Sequence, residues 1–140
     1  GGRMIFGIGT DVAEVPRFEK WVRDDALISR FFGEAERFAG DGEAHLSAAS
    51  QHYAARFAAK EAFSKALGTG FVGLSLKDFW VVKDESGKPS FAFGDATQKC
   101  LCARAGTNCR VHLSMSHEKA YATAVVVIET EEDGDVRKCL

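Results

Sequence analysis

Two carboxylates and a lysine stand where they could support chemistry on a phosphate. Asp11 follows an apolar run, residues 4–9, that predicts a buried strand, and Glu61 precedes Lys65 by four positions in an alanine-rich segment. At about 100° per helical residue, Glu61 lies roughly 40° from Phe57 and from Lys65, at the edge of an apolar face. Carboxylates from two separate elements, with lysine nearby, form an oxygen set that Mg²⁺ uses beside phosphate oxygens. A plain surface ion pair between Glu61 and Lys65, worth about 0.2–0.5 kcal/mol, is the alternative interpretation.

Two further patterns could contribute polar groups to such a site. Gly68-Thr69-Gly70 ends the alanine-rich segment: Gly68 suits a helix C-cap, and the flexible amides that follow could also hold a phosphate. This is not a Walker loop, which has the pattern Gly-x-x-x-x-Gly-Lys-Ser/Thr and precedes a helix. His117 ends a predicted strand and could bind phosphate or exchange protons, although a solvated loop histidine has the same signature. The chain contains no Gly-x-Ser-x-Gly nucleophile elbow.

The elements that must position these groups alternate between helical and extended patterns. The longest is a helix over residues 43–67, which has no internal glycine or proline and stops at Gly68. The other predicted elements are a strand over 4–9, a helix over 15–22 with Pro16 in its first turn, short helical pieces over 27–38, a hairpin of 79–82 with 90–93, a helix over 95–105, and strands over 110–115 and 121–128. This order predicts an α+β domain with an antiparallel sheet packed on one long helix.

Composition limits the classes of protein to which the chain can belong. Its 140 residues, 46% apolar and 27% charged, suit one domain, which we place at residues 4–129. Residues 1–3 are taken as a cloning remnant and residues 130–140 as an acidic, flexible tail. A net charge of −2 argues against a nucleic-acid partner. No apolar run approaches the roughly 20 residues that cross a bilayer, so we expect no membrane partner.

The cysteines do not suggest a disulfide framework or a metal site. Cys100, Cys102 and Cys109 crowd into one stretch, and their spacing does not suit zinc. Reduced thiols in a cytoplasmic protein are the simpler interpretation. The sequence assigns no role to these three residues or to Cys139.

Three motifs, taken together, resemble those of one enzyme family. They are GIGTD at residues 7–11, RFAAKEAFSKALGTG at residues 56–70, and HLSMSH at residues 112–117 followed by YATAVV at residues 121–126. Gly87-Lys88-Pro89, in the predicted hairpin turn, fits the same family. From Met4 to about Glu129 the chain resembles the small bacterial holo-acyl-carrier-protein synthases, the short class of 4′-phosphopantetheinyl transferases.

This resemblance implies a fold, a reaction and partners. The fold would be 4′-phosphopantetheinyl transferase-like. The reaction would move 4′-phosphopantetheine from coenzyme A to a serine of apo acyl carrier protein and release adenosine 3′,5′-bisphosphate, in support of fatty acid biosynthesis. Members use Mg²⁺ as cofactor and coenzyme A as co-substrate. They are usually homotrimers whose active sites are built at subunit interfaces.

The resemblance also implies roles for individual residues. Asp11 and Glu61 would bind Mg²⁺ together with the pyrophosphate of coenzyme A. Glu61 and Lys65 would be catalytic, with Lys65 neutralising phosphate charge as the nucleotide departs. The positions that would line the coenzyme A site are Arg56, Lys60, Lys65, Gly68, Thr69, Pro89, Ser114, Ser116 and His117.

A basic helix face would receive the acidic carrier protein. In the family this face falls at the helix that bears Arg17, Lys20 and Arg23 in the present chain. Positive charge there would speed encounter with an acidic partner despite the net negative charge of the chain. Asp24 and Asp25 dilute that charge, and a mixed solvated helix face is the alternative interpretation.

Two other functions fit the same residues. A Mg²⁺-dependent phosphoanhydride hydrolase would use the two carboxylates with water as nucleophile, and would turn over coenzyme A without a carrier protein. A non-catalytic module would bind coenzyme A or the carrier, although a binder has no need of Asp11, Glu61 and Lys65 together. The group that removes the proton of the attacking serine stays open between Glu61 and a metal-bound water.

Overall fold

The chain forms an α+β structure in which two antiparallel sheets accompany one long helix. The computed structural model describes residues 2–131. In chain order the elements are β1 (Arg3–Glu14), α1 (Glu19–Val22), α2 (Asp25–Phe31), α3 (Leu46–Leu67), β2 (Phe79–Lys83), β3 (Pro89–Phe93), α4 (Asp95–Ala105), β4 (Arg110–His117) and β5 (Tyr121–Glu131). Two short 3-10 turns, Val15–Phe18 and Glu34–Glu36, lie between β1 and α3.

The larger sheet has three strands in the order β1-β5-β4, and β2 pairs with β3 as a separate hairpin. Every strand pair is antiparallel. Helix α3 packs on one face of the larger sheet, mainly against β1 and β5. The predicted class, an antiparallel sheet on one long helix, is confirmed, with the difference that the strands are divided between two sheets.

Strand β1 approaches α3 more closely than most side chains would allow. A Cβ atom at Gly9 would lie 1.9 Å from the carbonyl oxygen of Ala62, and one at Gly7 would lie 1.9 Å from that of Ala66. Alternate residues of a strand face the same side, so Asp11 shares the face that these glycines present to the helix. The glycine pair therefore brings Asp11 against α3.

Helix α3 begins three residues later than the sequence predicts. The Asp41 side chain accepts hydrogen bonds from the backbone amides of Glu43 (2.9 Å) and Ala44 (3.3 Å), which holds these residues in a turn ahead of Leu46. At its other end α3 stops where predicted. Gly68 takes the left-handed conformation (φ 86°) that a side chain would disfavour.

Strand β1 and the segment after it differ from the prediction. The strand does not end at Asp11 but continues to Glu14, because β5 supplies partners as far as Tyr121. The helix predicted over residues 15–22 divides into a 3-10 turn, with Pro16 in its first turn, and the short α1. Asp11 therefore lies within a paired strand, which holds its backbone more firmly than a strand end would.

Strand β5 extends two residues into the segment predicted as a tail. Thr130 is buried, and its hydroxyl donates to the carbonyl oxygen of Ala105 at the end of α4. The rest of that segment, residues 132–140 with Cys139, lies outside the described residues. Between residues 2 and 131, no helix has both the length and the apolar character needed to span a membrane.

Candidate active site

Three of the predicted site residues meet beside the last turns of α3. The Lys65 Nζ atom donates to Asp11 Oδ1 at 3.1 Å and to the carbonyl oxygen of Thr10 at 3.0 Å. The Asp11 side chain is 18% exposed and that of Lys65 51%, so the group is open to a ligand from one side. Glu61 is half-buried one helical turn before Lys65. Asp11 lies 50 residues or more before Glu61 and Lys65 in the sequence, and the three residues together form one carboxylate–lysine cluster.

Electrostatics within this cluster bear on the ions it can hold. Burial raises the pKa of Glu61, the negative charge of Asp11 raises it further, and Lys65 opposes both effects. Two carboxylates that repel each other at a partly buried site gain from a cation placed between them. They also provide the oxygen ligands that Mg²⁺ takes, one or two carboxylates in addition to water and phosphate. Asp11 and Glu61 therefore fit the predicted metal.

The loop after α3 adds backbone groups near Lys65. The Gly68 amide donates to the carbonyl oxygens of Ser64 (3.0 Å) and Lys65 (3.2 Å), and the Thr69 hydroxyl donates to that of Gly70 (2.7 Å). From α4, Arg104 Nε donates to the carbonyl oxygen of Leu67 at 2.7 Å. Gly68 and Thr69 are thus next to the carboxylate–lysine cluster in the chain, and a cationic side chain caps the end of the helix.

Arg56 and His117 lie at a second place, beside the first half of α3. His117 Nδ1 is 2.7 Å from Gln51 Oε1. Arg56 donates to the carbonyl oxygen of His52 at 3.3 Å. Gln51 and Glu61 are ten residues apart, which corresponds to about 15 Å along a helix. In a single chain, therefore, His117 lies well apart from the carboxylate–lysine cluster along α3.

A buried histidine marks this second group. Burial, together with the nearby charges of Arg56, Lys83 and His117, lowers the pKa of His52 to about 4, and the hydrogen bond to the backbone of Glu36 opposes this shift. Its Nε2 lies 2.6 Å from the carbonyl oxygen of Glu36, so the neutral ring carries its proton there. Sequence reasoning missed both His52 and Lys83.

The hairpin explains how Lys83 reaches this group. Lys83 ends β2 directly opposite Pro89, a residue predicted to line the coenzyme A site. The sequence could have indicated Lys83, because the hairpin turn that contains Pro89 also determines which residue of the opposite strand pairs with Pro89.

Ser114 and Ser116 lie on the other face of the sheet. Their neighbour Leu113 is buried toward α3, and alternation along β4 turns both serines outward, where they are exposed. Across the sheet, Ser116 is in register with Thr123 and through it with Val12. The structure thus keeps both serines apart from the carboxylates of the same chain.

Lys60 is the one predicted ligand contact that the structure corrects. Its side chain has no exposed surface, and Nζ forms an ion pair with Glu36 at 2.7 Å. It also donates to the carbonyl oxygens of Phe79 (2.8 Å) and Leu76. Successive helical residues point about 100° apart, so Lys60 faces the interior while Glu61 faces the cluster. Lys60 therefore supports the fold and cannot touch coenzyme A in this conformation.

The predicted docking residues are all exposed but differ in their partners. Arg23 forms a two-pronged ion pair with Glu43, at 2.8 and 2.9 Å. In the described part of the chain, Arg17 and Lys20 form no ion pair. Glu43 therefore neutralises part of the positive face, in addition to the acidic residues that follow α1.

Comparison with known proteins defines the class. Residues 7–126 match the model of the 4′-phosphopantetheinyl transferase superfamily. The match covers β1 from Gly7 onward, all four helices, β2 to β4 and β5 as far as Val126, and with them every predicted site residue. The chain belongs to this superfamily, and the family resemblance of its motifs is confirmed.

Individual relatives narrow the comparison. The chain is 48% identical over 130 residues to the holo-(acyl-carrier-protein) synthase of Treponema denticola, which covers 90% of this chain and 99% of the relative. A crystal structure of the Bacillus anthracis holo-(acyl-carrier-protein) synthase, in complex with coenzyme A (3′,5′-ADP), superposes with a TM-score of 0.71 at 37% identity, covering 91% and 99% of the two chains. The crystal structure of the holo-(acyl-carrier-protein) synthase of Neisseria meningitidis superposes with a TM-score of 0.76 at 37% identity, covering 89% of this chain and 98% of the other.

Proposed function

We infer that this protein transfers 4′-phosphopantetheine from coenzyme A to a serine of apo acyl carrier protein, giving holo carrier protein and adenosine 3′,5′-bisphosphate. The observation that carries the inference is the meeting of Asp11, Glu61 and Lys65 at one partly open site. The relatives described above are holo-(acyl-carrier-protein) synthases. The proposed cellular role is to supply holo carrier protein for fatty acid biosynthesis in the cytoplasm.

In the proposed mechanism the serine oxygen attacks the phosphorus that bears the pantetheine. The new oxygen–phosphorus bond forms as the bond from that phosphorus to the bridging oxygen breaks, and adenosine 3′,5′-bisphosphate leaves. Such transfers depend on charge neutralisation and in-line positioning. Lys65, half exposed beside Asp11, would neutralise charge on the departing phosphate. Glu61, half-buried one helical turn before Lys65, would accept the serine proton.

Mg²⁺ is proposed as the cofactor of this site. Asp11 and Glu61 would hold it, and the bound ion would offset the negative charge of the pyrophosphate. No cluster of three or more His, Cys, Asp or Glu side chains suited to a metal occurs between residues 2 and 131. Two protein carboxylates are nevertheless sufficient for Mg²⁺, which completes its shell with water and phosphate oxygens.

A homotrimer with active sites between subunits is also proposed. The outer face of the larger sheet exposes a group of large apolar side chains: Ile5, Ile8, Val12, Tyr121 and Val125. An apolar patch of this kind favours association with further copies of the chain. Ser114 and Ser116 lie on that same face, so in an assembly they would border a neighbouring copy. This arrangement accounts for the separation of the two groups of coenzyme A residues within one chain.

Sedimentation analysis tests the assembly. We expect the purified chain to sediment as a trimer and Val12→Lys, which places a charge in the middle of the apolar face, to sediment as a monomer with an unchanged circular dichroism spectrum. A wild-type chain that stays monomeric at micromolar concentration would contradict the proposed assembly.

Intact mass spectrometry of the carrier protein tests the reaction. Apo acyl carrier protein, coenzyme A, Mg²⁺ and the purified chain are incubated together, with EDTA and Glu61→Gln as controls. We expect the carrier to gain one phosphopantetheine, with no gain in either control. Absence of any gain with several apo carriers, in a folded sample, would overturn the proposal. Release of adenosine 3′,5′-bisphosphate without a carrier would instead favour the hydrolase.

A further inference from the structure

The end of α3 contacts a cationic side chain that belongs to another helix. Arg104, in the last turn of α4, donates from Nε to the carbonyl oxygen of Leu67 at 2.7 Å. Its Nη2 atom lies beside Gly68, since a Cβ atom at Gly68 would be only 2.9 Å from it. Leu67 is the last residue of α3, so its carbonyl group is one of those that find no partner within the helix. Arg104 thus supplies that partner from outside.

Both ends of α4 are anchored, and this holds Arg104 in place. At the start of α4, Asp78 Oδ2 accepts hydrogen bonds from the amide (2.7 Å) and the hydroxyl group (2.8 Å) of the buried Thr97. At the end of α4, the carbonyl oxygen of Ala105 accepts a hydrogen bond from the Thr130 hydroxyl group of β5. Ala105 directly follows Arg104. The arginine therefore belongs to a helix that is fixed at two points, and its position at the end of α3 is set by the fold.

The positive charge of Arg104 is not neutralised by a neighbouring acid. Within residues 2–131, no carboxylate forms an ion pair with this guanidinium group. The side chain is exposed, so its charge acts on the solvent and on any ligand at the end of α3. The turn that follows, Gly68 and Thr69, is predicted to line the coenzyme A site.

The carboxyl end of a helix is an unfavourable place for a polyanion. The peptide dipoles of a helix sum to about −0.5 of an elementary charge at this end, where the last carbonyl groups are exposed. Anions instead bind at the amino ends of helices, where amide groups point outward. The proposed reaction nevertheless brings the phosphates of coenzyme A to Lys65, in the last turn of α3. A positive charge on the Leu67 carbonyl group would offset this repulsion.

We propose that Arg104 is a positioning residue for the transfer, which offsets the negative end of α3 and holds the turn at Gly68, so that the anionic co-substrate can approach Lys65. The inference rests on the proposed function, since it concerns the approach of coenzyme A to that site. Arg104 acts through the Leu67 carbonyl group and the turn, and not on the reacting atoms. None of the predicted site residues lies on α4, so this helix takes part in the site only through Arg104.

Two substitutions of Arg104 separate its charge from its hydrogen bond. Lysine and glutamine can both donate to the Leu67 carbonyl group, but only lysine keeps the charge. We expect Arg104→Gln to raise the KM for coenzyme A about fivefold, with kcat within about twofold of wild type. Arg104→Lys should keep both constants within about twofold of wild type. The increase in KM should diminish as added salt screens the charge.

The matched control is Lys99→Gln, which removes one positive charge from an exposed position of the same helix and should behave as wild type. Three results would overturn the proposal. An equal rise in KM for Arg104→Lys and Arg104→Gln would show that the charge is not what matters. A fall in kcat that accompanies a fall in the thermal denaturation midpoint would show that Arg104 only supports the fold. Unchanged constants in Arg104→Gln would show that its charge does not reach the site.

Calorimetric titration with coenzyme A separates this inference from the proposed reaction, because it needs no turnover. We expect Arg104→Gln to weaken binding of coenzyme A about fivefold and Lys99→Gln to leave it unchanged. That result in a protein that transfers nothing would refute the transferase and keep the role of Arg104. Unchanged binding by Arg104→Gln in an active transferase would refute the role of Arg104 alone.

Discussion

The ammonium group of Lys65 lies 3.1 Å from Asp11 Oδ1, so that one exposed ion pair joins the last turns of α3 to the middle of β1. The contact brings two motifs that are far apart in the sequence to one place. An ion pair this exposed adds little to stability, about 0–1 kcal/mol. Its geometry points to a role toward a ligand.

Replacement of that lysine should therefore separate activity from stability. We expect Lys65→Met to reduce the rate of carrier modification by about 10²–10³-fold, the range seen when one group that stabilises transition-state charge is removed. The free energy of unfolding, measured by urea denaturation, should change by less than about 1 kcal/mol. Lys99→Met, at an exposed position of α4, is the control and should leave both quantities unchanged. A loss of activity that merely follows a loss of stability would count against a catalytic Lys65.

Gly9 should tolerate no side chain. A Cβ atom there would lie 1.9 Å from the Ala62 carbonyl oxygen and 2.7 Å from the Ala66 amide nitrogen, and backbone atoms cannot yield as a flexible side chain can. We expect Gly9→Ala to lower the free energy of unfolding by about 1–3 kcal/mol or more, the usual cost of overpacking. Gly33→Ala is the matched control, since a Cβ at Gly33 meets nothing within 4 Å. Equal thermal denaturation midpoints for the two variants would show that the contact between β1 and α3 relaxes freely.

The buried ion pair between Lys60 and Glu36 should make a single substitution more harmful than a double one. Lys60→Met leaves a carboxylate with no exposed surface and no partner, which costs about 3–5 kcal/mol. Lys60→Met combined with Glu36→Met removes both charges and should regain a large part of that loss. A double-mutant cycle by chemical denaturation measures the coupling. Additive losses would mean that Lys60 acts only through its bonds to the carbonyl oxygens of Phe79 and Leu76.

His52 should make the fold less stable in acid. Its pKa is about 4 in the folded chain against an ordinary 6.5, so between these values the unfolded chain takes up a proton that the folded chain does not. Stability contributed by the neutral ring is complete above pH 6.5 and declines as the pH falls toward 4, by about 3 kcal/mol at most. Urea denaturation from pH 7 to pH 4.5 measures the slope. We expect His52→Phe to reduce it and the exposed His45→Phe to leave it unchanged.

The docking face should depend on its unpaired charges. Arg17→Ala and Lys20→Ala should each lower kcat/KM for the carrier protein about threefold to tenfold at low salt, mainly through slower encounter. Arg23→Ala should have a smaller effect, because Glu43 already holds that guanidinium at 2.8 Å. The three variants should converge as salt screens the charges. Equal effects of all three, or effects that persist at high salt, would contradict docking by long-range attraction.

Much of the carboxylate–lysine cluster could be predicted because its determinants are local. Helical spacing places Glu61 and Lys65 on one face, and Gly68 ends the helix. The two glycines of β1 permit a close approach to another element, without indicating which one. The contact between β1 and α3 was implied only by the family resemblance, because the spacing of residues within one motif gives no information about contact with another motif.

The error on Lys60 and the omission of Lys83 have different physical causes. Lysine is a residue type that is almost never fully buried, so the position of Lys60 between Phe57 and Phe63 did not lead us to expect burial. Nothing in the sequence indicates the pairing with Glu36, which is 24 residues away. Lys83 depends on hairpin register, which sets it across from Pro89. The extension of β1 past Asp11 likewise follows from the length of its partner strand, a property that no single segment contains.

Lys60 and Glu61 are adjacent, and this adjacency links the interior of the protein to its chemistry. The Lys60 ammonium group is held by Glu36 and by two carbonyl oxygens. These contacts fix the rotation of α3 about its own axis, and that rotation in turn sets the direction of the Glu61 carboxylate. A turn of the helix by even a fraction of one residue would swing that carboxylate away from Asp11. The rate of turnover therefore depends on how this helix is rotated about its axis. A substitution deep in the interior can abolish turnover while the chain stays folded.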